Sequence, residues 1–133
     1  MTQNEKDLLL KDLCARLPYG VKVQVDNHCW VDFRKDIPVK LTLDNSYRIL
    51  LGVTLGYVKP CLFPLSSMSE EQKKELNDIT NLDIEIAISH IKNDTPNYVT
   101  SLNRLNWLLK NHFDIYDLIP MGIAIDATGK NIY

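Results

Sequence analysis

The sequence lacks every short motif that would tie it to a common catalytic chemistry. It contains no G-x-G-x-x-G, no P-loop, no H-E-x-x-H and no G-x-S-x-G, so the signatures of dinucleotide, phosphate, zinc and acyl-transfer sites are missing. These absences lower the expectation of an enzyme, and we expect no bound cofactor.

Long apolar runs and a leader-like N-terminus are also missing. No apolar run approaches the roughly 20 residues of a membrane-spanning helix. The opening MTQNEKDLLLKDL has acids where a signal peptide has a basic and then an apolar stretch. The sequence therefore predicts a cytoplasmic protein without a membrane partner.

Cysteine is scarce and shows no paired pattern. The three cysteines, Cys14, Cys29 and Cys61, form an odd set without C-x-x-C spacing, which predicts reduced thiols rather than a disulfide framework. Cys29 beside His28, or Cys61 near a histidine brought in by the fold, is a candidate thiolate pair for a cysteine-dependent hydrolase. Free cysteines are more often buried and inert, and we favour that interpretation.

Groups that could bind a metal or transfer protons are few and scattered. His28, His90 and His112 lie far apart with no paired spacing, so a metal site is not expected. Asp83 and Glu85 would share one face of a strand, as paired acid and base groups do. Outward-facing acids on an edge strand are far more common, so we predict no catalytic residue.

The composition that is present is typical of a globular protein. The chain has 133 residues, of which 45% are hydrophobic and 24% charged, and this predicts one domain covering 1–133. We interpret it as an α+β domain with a strand-rich half over 18–60 and a helical half over 67–125.

Residues 3–17 carry the pattern of an amphipathic helix. Thr2 and Glu5 match a capping box at its start. The apolar stripe predicted to face the core is Leu10, Leu13, Cys14 and Leu17. The polar side chains predicted to face solvent are Glu5, Lys6, Asp12 and Arg16.

Five short runs then have strand-like patterns separated by turn residues. Alternation of apolar and polar residues, or continuous apolar character, favours strands at 21–25, 29–33, 39–43, 47–53 and 55–58. Such a sheet with one apolar face must close or be covered, so we expect a small antiparallel, barrel-like sheet.

A proline-stiffened crossing joins the two halves. Pro60 and Pro64 favour an extended, non-helical path over 59–67. Ser69 and Gln72 then match a second capping box, which predicts a helix that reaches about Ile79.

The helical half contains one ambiguous segment. Residues 82–92 fit both a strand period and a helical stripe, and we favour a strand. Thr95 and Pro96 predict the start of a helix that ends at Asn111. We expect 113–120 to form a helical turn packed on the core, 121–125 to add an edge strand, and 126–133 to fray.

Basic and aromatic residues in the strand-rich half give an alternative function. Small barrels bind single-stranded nucleic acid with stacking aromatics beside a basic groove. The candidate face comprises Lys22, Trp30, Arg34, Lys35, Lys40, Arg48 and Lys59, interleaved with Phe33, Tyr47 and Tyr57. A sequence pI near 5.9 argues against a dedicated nucleic-acid binder, so this remains the second choice.

Three stretches together carry a resemblance: LLLKDLCARLPYGVKV, VKPCLFPLSSMSEEQKKEL and LNWLLKNHFDIYDLIPMGIAIDA. They resemble a group of small proteins encoded by gut bacteria and their prophages or other mobile elements, a group with no established activity. The resemblance implies a cytoplasmic protein in a mobile-element context and assigns no site residue. Where the group often has an aromatic residue, this chain has Cys61.

These observations favour a non-enzymatic module that binds another protein. The predicted interface is formed by the proline-rich crossing and the C-terminal segment, with Phe63, Leu65 and Tyr116 as its apolar contacts. Exposure of such side chains would support this interpretation, because a contiguous apolar patch on a soluble monomer usually marks an interface.

Overall fold

A computed structural model of the chain describes residues 1–26, 37–79 and 99–133, with side chains in the last range from residue 103 onward. Within these ranges the fold is α+β. It has four α-helices: α1 (Gln3–Arg16), α2 (Ser46–Leu55), α3 (70–79) and α4 (Val99–Lys110). Two short 3₁₀ turns follow α1 and precede α3, at Leu17–Tyr19 and Leu65–Ser67.

The described strands form an open, mixed sheet of four short members. They are β1 (Lys22–Val25), β2 (Val39–Lys40), β3 (Val58–Leu62) and β4 (Ile125–Asp126), in the order β2-β1-β3-β4. The β2–β1 and β1–β3 pairs are antiparallel, whereas β3 and β4 are parallel. The described sheet is neither closed nor wholly antiparallel, so it does not support the predicted barrel-like, antiparallel sheet of about five strands. The predicted strand at 29–33 lies outside the described residues.

The largest error concerns 47–53, which was predicted to be a strand and belongs to α2. Its buried residues Ile49, Gly52 and Val53 are spaced i, i+3, i+4, which is a helical period. A short, almost continuous apolar run gives no periodic contrast, so pattern alone cannot separate the two structures. Gly56 ends the helix at φ +84° and donates its N–H to the carbonyls of the last turn.

The strand predicted at 55–58 begins only at Val58 and includes the first residues of the predicted crossing. β3 runs from Val58 to Leu62 and contains Pro60, which lies opposite Val23 of β1. The predicted extended crossing over 59–67 is thus a strand followed by the 3₁₀ turn at Leu65–Ser67. β4 pairs only with Cys61 and Leu62, so the ladder on that side does not require an N–H from Pro60.

Both capping boxes are confirmed. At α1 the Thr2 hydroxyl accepts from the Glu5 N–H, and the Glu5 carboxylate accepts from the Thr2 N–H. Ser69 and Gln72 make the same reciprocal pair at the start of α3. These signals are local in sequence, so they do not depend on tertiary context.

The buried face of α1 differs from the predicted stripe. Asp12 and Arg16 are fully buried together with Leu9 and Leu13, whereas Cys14 is exposed. The predicted outward orientation of Asp12 and Arg16 is wrong, because the two side chains form an ion pair inside the fold.

The hydrophobic core lies between α1, α2 and one face of the sheet. The three valines of β1 and its approach, Val21, Val23 and Val25, are fully buried. Leu118 and Ile123 complete the core. They lie in the turns that follow α4, in and just after the segment 113–120 that the sequence predicts to be a helical turn. The predicted edge strand over 121–125 is present only as β4.

Candidate functional site

One face of α2 carries an apolar stripe in solvent. Leu43, Tyr47, Leu51 and Leu55 are spaced every four residues, so they follow one side of the helix and the turn before it. Leu43 is 81% and Tyr47 79% exposed, and both of the other leucines are exposed as well. Because α2 buries its opposite face in the core, the stripe is not needed to hold the helix in place.

The three residues predicted as an interface have different surroundings. Leu65, in the 3₁₀ turn, is 47% exposed. Phe63 is half-buried, with its ring 6.2 Å from that of Phe113. Tyr116 packs against the core, and the Lys11 ammonium lies 5.6 Å from its ring centroid. These three residues stay a prediction, and only Leu65 offers a largely open apolar side chain.

An aromatic cluster forms where α4 ends. Trp107 stacks on Phe113 at 5.8 Å with their planes 12° apart, and Phe113 also contacts Phe63. The His112 ring stacks on Tyr133 at 3.8 Å and 10°. The cluster thus joins α4, the end of β3 and the C-terminal residues.

His112 occupies a strained backbone position. It lies at φ +64°, and the N–H groups of His112 and Phe113 donate to the carbonyls of Leu109 and Leu108 in a Schellman arrangement. Glycine is the usual residue there, so histidine carries a conformational cost that ring stacking offsets. Burial, together with the charges of Arg16 and Lys22, lowers the pKa of His112 to about 4.

A buried ion pair is hydrogen-bonded to the backbone of the aromatic cluster. Arg16 Nε donates to Asp12 Oδ2 at 2.7 Å, and Arg16 Nη2 donates to the Phe113 carbonyl at 2.6 Å. Asp12 Oδ1 and Arg16 Nη1 have no hydrogen-bond partner among the described residues. Burial raises the pKa of Asp12 even though the guanidinium opposes this effect.

Three of the predicted basic residues lie on one face of the sheet. Lys22 pairs with Lys40, and Gln24 pairs with Lys59. Paired residues share a face, as do residues two apart on β1, so Lys22, Lys40 and Lys59 project opposite the buried valines. Arg48 lies on α2, whereas Trp30, Arg34 and Lys35 lie outside the described residues.

The two cysteines in the described ranges lie in different environments. Cys61 is buried in β3, and burial raises the pKa of its thiol. A raised pKa disfavours the thiolate that a nucleophile requires. Cys14 is exposed on α1. The candidate pair of Cys29 and His28 lies outside the described ranges.

Neither a metal-binding cluster nor a helix able to cross a membrane occurs among the described residues. No group of three or more His, Cys, Asp and Glu side chains is placed to hold a metal ion among residues 1–26, 37–79 and 103–133. In the same part of the chain, every helix is too short or too polar to cross a membrane.

Comparison with known proteins gives no relative. No protein-family model matches the chain, and neither a curated protein nor a solved structure matches it. Functional inference therefore rests on the surfaces described above.

Sequence reasoning missed the α2 stripe, the Asp12–Arg16 pair and the role of Tyr133. The stripe was hidden because 47–53 was interpreted as a strand. The i, i+4 spacing of Asp12 and Arg16 was a usable signal for an ion pair, although such pairs are usually on the surface. Tyr133 gave no local signal, because its contacts are with residues distant in sequence.

Proposed function

We propose that the chain is a non-enzymatic protein-interaction module and that its main contact surface is the α2 stripe, defined by Leu43, Tyr47, Leu51 and Leu55. The observation that carries this proposal is the exposure of four large apolar side chains along one helix face. Contiguous exposed apolar patches larger than a few hundred Å² on soluble proteins typically mark interaction sites.

The partner we propose is an amphipathic helix of another protein. Residues four apart on α2 form a ridge, and such ridges pack into the grooves of a second helix. The stripe itself contains leucines and a tyrosine and no charged side chain, so it selects an apolar face rather than an acidic or basic peptide. α2 has ten residues and is about 15 Å long, which would form the centre of an interface of ordinary size.

Site-specific photo-crosslinking tests this proposal. A benzophenone amino acid replaces Tyr47 in one variant and Glu71, an exposed residue of α3, in the control variant. We expect position 47 to capture a discrete protein that position 71 does not capture. A cross-link to a second copy would contradict the proposal that the partner is another protein.

The captured protein is then purified and its affinity is measured by calorimetry. Leu51→Glu should weaken binding by more than tenfold, because it places a charge in the centre of an apolar contact. Leu65→Glu should change the affinity by less than twofold. A larger loss of affinity for Leu65→Glu than for Leu51→Glu would indicate that the interface is the proline-rich crossing. A cross-link from position 47 only to the same chain would contradict the proposal.

A second candidate is binding of single-stranded nucleic acid, favoured by the lysine face formed by Lys22, Lys40 and Lys59. Lysines on one face can contact successive phosphates. Fluorescence anisotropy with a labelled 15-nucleotide strand, measured at 50 and 200 mM salt, tests it. Binding should weaken with salt, and the Lys40→Ala, Lys59→Ala double variant should reduce the salt slope by about 1.4. The control is Lys73→Ala with Lys74→Ala on α3; absence of salt-sensitive binding eliminates this candidate.

We further propose a cytoplasmic, mobile-element context, supported by the resemblance of the three stretches quoted above. Sequencing of the genes beside this one tests it. Phage or transposition genes should flank it, and an isolated housekeeping neighbourhood would contradict the proposal.

A further inference from the structure

The β1–β3 ladder ends in an unusual way. The two strands pair in the register Val23–Pro60, Gln24–Lys59 and Val25–Val58, and one further step would place Lys22 opposite Cys61. At that step the Tyr133 hydroxyl lies between the strands. It accepts the Lys22 N–H at 2.8 Å and donates to the Cys61 carbonyl at 2.7 Å.

The ring of Tyr133 is held as specifically as its hydroxyl. Besides the His112 stack at 3.8 Å, the Phe63 ring lies 5.8 Å away at 49°. The Lys22 ammonium lies 5.9 Å from the ring centroid and donates to the Ile132 carbonyl at 2.7 Å. The pocket therefore contacts the ring, the hydroxyl and the carbonyl of the preceding residue.

This chemistry selects tyrosine over the other aromatic residues. The two strand groups require one atom that accepts from an N–H and donates to a C=O, and a phenol hydroxyl at the end of a flat ring does both. Phenylalanine would leave the Lys22 N–H and the Cys61 carbonyl unpaired. Burial raises the pKa of the Tyr133 hydroxyl, so it keeps the proton that it donates.

Residues 128–131, which join Tyr133 to the rest of the fold, make local backbone hydrogen bonds. Ala127 donates its N–H to the Leu62 carbonyl, which fixes the start of the C-terminal segment. Among the described residues, the backbone N–H groups of Thr128 and Lys130 donate to Asp126 and Ala127, their near neighbours. Residues 128–131 are exposed, and Asn131 adopts a left-handed conformation at φ +54°, which asparagine tolerates. The expectation that 126–133 frays is therefore wrong at its end, where Tyr133 is anchored.

We propose that Lys22, Cys61, Phe63 and His112 form a tyrosine-binding pocket that Tyr133 fills in cis, and that it accepts the tyrosine of another extended peptide when residues 128–133 withdraw. The ligand class is a peptide segment that contains a tyrosine. The backbone carbonyl of the residue before that tyrosine would accept from the Lys22 ammonium, as the Ile132 carbonyl does in cis. The pocket shares no residue with the α2 stripe, so the proposal stands independently of the proposed function. Cis occupancy makes the pocket self-inhibited, because a tethered ligand acts at a high effective concentration.

The test uses full-length Tyr133→Ala, which vacates the pocket, and an acetylated peptide of residues 127–133. Binding is followed by NMR through the His112 ring protons, which the stacked phenol shifts upfield. We expect saturable binding to Tyr133→Ala that is at least tenfold tighter than binding to the wild type. A peptide with phenylalanine in the last position should bind at least tenfold more weakly than the tyrosine peptide, and one with alanine should not bind. Glu71→Ala, at an exposed position of α3, is the control and should behave as the wild type.

Equal affinities for the tyrosine and phenylalanine peptides would overturn the proposal, as would the failure of folded Tyr133→Ala to bind the tyrosine peptide. If circular dichroism shows that Tyr133→Ala does not fold, Tyr133→Phe replaces it. That variant keeps the ring stack and loses the two hydrogen bonds, so the tyrosine peptide should displace its C-terminus more readily than that of the wild type. Affinity no higher than the wild type's would then refute the pocket.

Discussion

Tyr47 and Tyr133 show how differently two regions of this molecule treat the same side chain. Tyr47 is 79% exposed on the α2 stripe, with its ring in solvent. Tyr133 is 40% exposed overall, yet its ring is stacked and its hydroxyl makes two hydrogen bonds. The C-terminal region makes its ring contacts and the hydrogen bonds of Tyr133 within the chain, whereas the α2 stripe leaves an apolar surface available to another molecule.

The comparison shows that an exposed fraction alone does not identify an interface. The C-terminal aromatic cluster is apolar and accessible at its edge, but its contacts are already made. The α2 stripe is the better candidate because its residues contribute little to the core that holds α2.

Arg16→Ala is expected to have the largest effect, because it removes the support below the C-terminal cluster without touching the α2 stripe. It leaves Asp12 as an unpaired buried charge and removes the hydrogen bond to the Phe113 carbonyl. The free energy of unfolding in urea should fall by about 3–5 kcal/mol. The double variant Asp12→Leu, Arg16→Met should lose less, since no charge stays buried. A loss below about 1 kcal/mol for Arg16→Ala would show that the pair is not buried in solution.

Alanine substitution of each tyrosine compares the two regions directly. Tyr133→Ala should lower the free energy of unfolding by about 2 kcal/mol, since it removes two hydrogen bonds and a ring stack. Tyr47→Ala should change it by less than about 0.5 kcal/mol, as is usual for exposed sites. Chemical denaturation of both variants is the measurement. Equal losses would remove the distinction between the regions.

The pH dependence of stability should report on His112. Its pKa is about 4 in the folded protein, below the ordinary value of about 6.5 in an unfolded chain. Between these values the unfolded chain binds more protons, so stability decreases as pH falls from about 6.5 towards 4, by at most about 1.4 kcal/mol per pH unit. His112→Asn tolerates the positive φ and should remove this part of the loss. If both proteins lose the same stability between pH 7 and pH 5, the His112 imidazole is solvated.

The smallest effect concerns thiol reactivity and leaves stability unchanged. Cys14 is exposed, whereas Cys61 is buried and has a raised pKa. Iodoacetamide should therefore alkylate Cys14 well before Cys61, as resolved by peptide mass spectrometry. Rapid labelling of Cys61 would mean that the end of β3, and with it the Tyr133 pocket, opens readily.

Local signals were predicted well from the sequence. The capping boxes at Thr2 and Ser69 depend on residues three positions apart, and both form as predicted. The β1 alternation of valines with polar residues also gave the right strand and the right buried face. In each case the information lies within one element.

The remaining features depend on contacts between distant residues. Whether 47–53 is a strand or a helix is decided by the core it packs on, because the run is apolar in either form. Buried Arg16 donates to the Phe113 carbonyl, 97 residues away in the sequence, and no local pattern indicates that contact. The local sequence likewise does not show that Phe113 lies beside Phe63 or that Lys11 lies beside Tyr116, two of the residues in the predicted interface.

Hydroxyl-radical footprinting of the isolated, full-length protein tests the central contrast most directly. We expect Tyr47 to be modified several-fold faster than Tyr133, with Leu51 and Leu55 also oxidised. Protection of Tyr47 to the level of Tyr133 in the monomer would contradict the account, because the chain would then cover the α2 stripe itself.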